Sequence, residues 1–69
     1  MSPARTLEEL EERIRNRLQE TDQSLRGIAA ETGISPTHLI NFKNSKRNLS
    51  FPNLHILAQH FGIKYNLKN

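Results

Sequence analysis

Three histidines, His38, His55 and His60, are the side chains of this 69-residue chain best suited to acid-base or metal chemistry, and their spacing supports neither. His55 and His60 stand five residues apart, off the i, i+4 spacing that brings two imidazoles to one metal from one helix face. Cysteine is absent, which removes thiolate zinc sites and disulfides together. The sequence has no Gly-rich phosphate loop and no nucleophile paired with a base. The chain is therefore read as no enzyme, with no cofactor, no metal and no small-molecule substrate. A second group of side chains has a different use. Asn41 carries a carboxamide that can bond adenine N6 and N7 together, and Thr37 a hydroxyl and a methyl suited to a base edge and a thymine methyl. His38 offers a donor for guanine acceptors, and Ser35 a further hydroxyl. Cations Lys43, Lys46 and Arg47 follow directly.

The distribution of charge says more than the net +3. Residues 1–22 hold six carboxylates against four arginines, whereas residues 23–69 hold only Glu31 against Arg26, Lys43, Lys46, Arg47, Lys64 and Lys68. A basic half behind an acidic helix fits a polyanion meeting one face, because phosphate neutralisation with counterion release needs clustered cations. Length allows one domain, with a single core that leaves about 3–5 kcal/mol of net stability. No stretch approaches the ~20 apolar residues of a membrane span, and residues 1–20 lack the basic and apolar regions of a secretion signal. A cytoplasmic, nucleoid-associated protein is expected.

Four helices must position these groups. Residues 1–5 show no periodicity and contain Pro3, so a loose terminus is expected there. Thr6 and Glu9 have capping-box spacing, and Leu7, Leu10, Ile14 and Leu18 form the apolar stripe of a first helix. Its outer face carries the i, i+4 pairs Glu9 with Arg13 and Glu11 with Arg15. Ser24 caps a second helix of about 25–32, which Gly33 stops. Ser35 caps a third helix of about 36–44 with Pro36 at its first position, where a missing N–H costs nothing. After the turn-prone Asn44–Asn48, Ser50 caps a fourth helix carrying Phe51, Leu54, Leu57, Ala58 and Phe61 to a stop at Gly62. Residues 64–69 are a tail, leaving residues 6–63 as the domain.

Helices two and three, joined by Gly33, Ile34 and Ser35, have the helix-turn-helix arrangement. Four residues before the turn glycine the helices cross closely, and Ala29 is small; Ile28, Ile34, Leu39 and Phe42 fall where the unit packs on itself and on the core. From Ser24 through Ser35, and on through Lys46-Arg47-Asn48-Leu49-Ser50 and Leu54, the chain resembles the phage Cro and repressor family, also called the xenobiotic-response-element family. The resemblance spans about Leu7 to Ile63. It implies an all-α, compact four-helix, lambda-repressor-like domain whose second and third helices dock on DNA, usually as a dimer on a palindromic operator. The chain departs from the family's pattern at Leu25, where a backbone-bracing Gln is frequent, and at Thr32, where an apolar residue precedes the turn. The family's fifth helix is missing or vestigial in the tail.

In this reading Ser35, Thr37, His38 and Asn41 face base edges from the first turns of the third helix. Ser24 and Arg26, at the start of the second helix, take phosphate, and Lys43 begins a second clamp. The resemblance carries the same backbone role to Asn44, Lys46, Arg47 and Asn48. The partner is double-stranded DNA and the function transcriptional regulation, more a repressor than an activator because the resembled family leans that way. Pairing of two copies on a palindromic site is a hypothesis that follows from the small size of one reading head. The rival reading is an interaction module on a helix-turn-helix scaffold, antitoxin-like or regulatory, docking protein through the Glu-rich first helix and Ile63, Tyr65 and Leu67.

Overall fold

The backbone groups that a helix leaves unpaired at its ends decide where these helices begin and stop. In the computed structural model, which describes residues 2–67, they are α1 (Leu7–Glu20), α2 (Leu25–Thr32), α3 (Pro36–Lys43) and α4 (Phe51–Phe61). Met1 of the expected loose terminus and Lys68 and Asn69 of the expected tail lie outside the described residues. Thr6 Oγ1 accepts from the Glu9 amide at 3.1 Å, Ser24 Oγ from Gly27 at 3.0 Å and Ser35 Oγ from Thr37 at 3.2 Å. The reciprocal half of the expected capping box does not close, because the Glu9 carboxylate faces Arg13 at 4.0 Å. Ser50 has the backbone of a cap, yet its hydroxyl makes no capping bond. Pro52, in the first turn of α4, lacks one of the amides such a hydroxyl bonds.

Glycine ends α2 and α4 in the left-handed region, Gly33 at φ 78° and Gly62 at φ 69°. Helix α3 ends differently. Ser45 takes φ 61°, its amide donates to Phe42 O at 3.1 Å, and the Lys46 amide donates to Asn41 O at 2.8 Å. This is the Schellman pattern, built on a serine where glycine is usual.

α1 packs on α4 and α3, and α2 on α3 and α4. The Cα radius of gyration, 11.2 Å, matches the roughly 11 Å of a folded chain of this length. Leu10, Ile14 and Leu18 of α1 meet Ile28, Ile34, Leu39, Phe42, Leu54, Leu57 and Ala58 in one core. Ile28, Ile34, Leu39 and Phe42, the positions expected to pack the second and third helices, are all buried, and Ala29 packs against them half-buried. Two expected core residues are not. Leu7 is 46% exposed, so the α1 stripe enters the core only at Leu10, and Phe51 is 45% exposed at the first position of α4. Thr32, the departure before the turn, bonds the backbone instead of the core: its hydroxyl donates to Ile28 O at 2.7 Å and accepts from the Ile34 amide at 3.3 Å.

The expectation of a loose N-terminus fails at Ala4, which is fully buried. Its amide donates to Lys64 O at 3.0 Å and its carbonyl accepts from Asn66 N at 2.7 Å, a parallel bridge between Ala4 and Tyr65. Arg13 also donates to Ser2 O. The same bridge replaces any vestigial fifth helix, since the described residues after Gly62 form none. Among the described residues no helix is long and apolar enough to cross a membrane.

Candidate nucleic-acid interface

The C-terminal half of α3 is tied down from two sides. From α1, Arg15 Nε donates to Phe42 O at 2.9 Å while its guanidinium lies 4.5 Å from the Phe42 ring centroid, and Gln19 Nε2 donates to Lys43 O at 3.3 Å. At the helix end Gln19 serves the Lys43 carbonyl, and Arg15 adds a second donor to the Phe42 carbonyl, which already accepts from the Ser45 amide. Among the described residues the expected Glu11–Arg15 ion pair does not form. Arg17 does the same for α4, donating to Phe61 O at 3.3 Å over the Phe61 ring. From the other side, the loop after α3 folds back: the amides of Lys46 and Arg47 both point at Asn41 O, at 2.8 and 3.3 Å.

The backbone of that loop, which carries the cations Lys46 and Arg47, is therefore fixed to the helix that carries Thr37 and Asn41. Ser35, Thr37 and His38 are exposed, and Asn41 is half-buried, on an otherwise uncovered side of α3. Asn44, Lys46, Arg47 and Asn48 are exposed and Lys43 is half-buried. Ile40, 36% exposed, adds an apolar contact point on the same helix. His38 comes together with Arg47 and Asn48 in a cleft of about 200 Å³, also lined by Leu49, Ser50 and Asn53. Ser24 and Arg26 are exposed and stand apart, at the far end of α2, some 12 Å of helix from the turn. The oxygens of Ser24 and Ser35 already accept one capping bond each, which leaves each hydroxyl its proton and one lone pair for a partner.

Ser50 and Asn53 were missed as members of this surface. Ser50 reads from sequence as a cap, but its hydroxyl makes no capping bond; Asn53 reads as one polar residue on a helix face. The other two histidines lie elsewhere. His55 bonds Tyr65, and His60 stands 2.9 Å from Gln23 Oε1 and 3.4 Å from Glu31 Oε2, joining α4 to α2 and the turn before it. Among the described residues no group of three or more His, Asp or Glu side chains is placed to hold a metal ion.

No protein-family model matches the chain, and no curated protein or solved structure matches it either.

Proposed function

We propose that this protein is a sequence-specific DNA-binding domain of the helix-turn-helix type, similar to the lambda-repressor-like domains of the Cro and repressor family, and that it regulates transcription as a repressor. The observation that carries the reading is the tether between Asn41 and the basic loop. One carbonyl on α3 receives the Lys46 and Arg47 amides, so the backbone that carries these two cations is held at fixed register to α3. DNA recognition needs that coupling, since phosphate contacts set the register and base contacts use it.

In this mechanism α3 lies in the major groove with Thr37 and Asn41 toward the bases and the Ser35 hydroxyl donating. Lys43, Asn44, Lys46, Arg47 and Asn48 grip one stretch of backbone. Ser24 and Arg26 grip a second across the groove, beside the free amides of α2. Two copies on a palindromic site, about 34 Å apart, would supply affinity that one small head lacks.

Selection from a random-sequence duplex pool at two salt concentrations tests this. A recurring motif should emerge. Asn41→Ala should relax it at one position per half-site, costing about 1–3 kcal/mol there, whereas Lys46→Ala/Arg47→Ala should weaken all sequences alike and flatten the salt slope. If nothing is enriched and salt has no effect, the DNA reading fails and the protein-docking reading replaces it.

A further inference from the structure

Cleft chemistry assigns His38 a role other than base reading. The cleft of about 200 Å³ between the first turn of α3, residues 47–50 and the first turn of α4 is lined by His38, Arg47, Asn48, Leu49, Ser50 and Asn53. Arg47 brings a permanent cation with several donors, His38 an imidazole, Asn48 and Asn53 carboxamides, and Ser50 a hydroxyl not spent on capping. None of these lining residues is a carboxylate. Such a wall of donors around one cation suits a tetrahedral anion with several acceptor oxygens. Its position beside the basic loop puts that anion at the edge of the surface through which α3 would approach DNA.

We propose that this cleft seats one phosphodiester of the bound duplex, with His38 and Asn53 joining Arg47 and Asn48 as backbone contacts, so that His38 sets affinity and not sequence preference. The proposal rests on the DNA-binding reading and adds to it two residues and a pH dependence. An imidazole beside a phosphate donates best as imidazolium, and imidazoles change charge between about pH 5 and 8. Affinity should therefore be greatest at acid pH and fall as pH rises. Of the lining groups only Arg47 is also charged, and it keeps its charge throughout. His55 and His60 face Tyr65, and Gln23 with Glu31, rather than this cleft.

The test is fluorescence anisotropy of a labelled duplex between pH 5.5 and 8 at fixed salt, for the native chain, His38→Gln, Asn53→Ala and Arg47→Ala, with thermal melts to confirm folding. The native chain should lose affinity with rising pH, and His38→Gln should remove that dependence while leaving base preference intact. Asn53→Ala should weaken all sequences about 3- to 10-fold. Native-like pH dependence in His38→Gln, or a changed preference at one base pair, overturns the cleft assignment while the DNA reading stands. Failure of the native chain to bind any duplex overturns both. A parallel titration of the free protein with inorganic phosphate, followed by NMR at the His38 ring and the Asn48 and Asn53 side-chain amides, separates the sources. Saturable shifts together with duplex binding support the seat, and shifts without duplex binding make it a free-phosphate site and overturn the proposal.

Discussion

Arg15 donates from Nε to the Phe42 carbonyl at 2.9 Å and stacks its guanidinium 4.5 Å from the centre of the same residue's ring. One side chain of the acidic first helix thus closes the end of the third helix and covers its largest core residue. Arg15→Ala should destabilise the domain by about 2 kcal/mol, from a charge-assisted hydrogen bond and a part-buried cation–π contact. Arg15→Lys should recover less than half of this, because an ammonium lacks the planar fork that bonds and stacks together. Urea midpoints of the three proteins decide it; equal midpoints for the native chain and Arg15→Lys would reduce the contact to simple charge.

Ser45 sits at φ 61° where the Schellman turn after α3 normally takes glycine. Ser45→Gly should stabilise the fold by up to about 1 kcal/mol, the relief of the left-handed strain less the added freedom of the unfolded chain. Ser45→Val should cost more than that gain. Thermal melts that rank valine at or above serine would show that the turn relaxes.

Phe42→Ala removes the largest wholly buried side chain. Such truncations cost about 3–5 kcal/mol, against a total of about 3–5 kcal/mol for a domain this small. The variant should show no cooperative thermal transition by circular dichroism at 222 nm, whereas Phe42→Leu should keep one. A cooperative melt for the alanine variant would mean that the core collapses around the gap.

Removing residues 1–5 should lower stability by about 1–3 kcal/mol through the two backbone hydrogen bonds of Ala4, and Ala4→Asp should cost more by burying a carboxylate. Hydrogen exchange at the Ala4 and Asn66 amides is the local readout. Exchange as fast as in an unfolded chain would return this segment to the loose terminus its sequence suggests.

The helical frame was legible because it is written in local signals. Thr6, Ser24 and Ser35 cap where their spacing requires, Gly33 and Gly62 stop helices, and Ile28, Ile34, Leu39 and Phe42 carry the packing between α2 and α3. What escaped is non-local or depends on backbone alone. The Ala4 bridge uses N–H and C=O groups that nearly every residue has, so no periodicity announces it. Arg15, Gln19 and Arg17 look like solvated outer-face residues until the carbonyl ends of α3 and α4 arrive beside them. Ser45 in a left-handed turn hides behind a residue type that seldom goes there. The cleft that sets His38 beside Arg47, Asn48 and Asn53 escaped as well, because these residues come from α3, the loop and α4 and only the fold brings them together.

The Ala4–Tyr65 bridge is parallel, so the two end segments run side by side in the same direction. A chain fused ahead of Ala4 and one fused behind Tyr65 therefore leave toward opposite ends of one edge. Copies joined head to tail would continue onward like beads on a straight thread, with no need to reverse between units. Joining the two ends to reopen the chain elsewhere, as in a circular permutant, would instead require a linker that doubles back along the bridge.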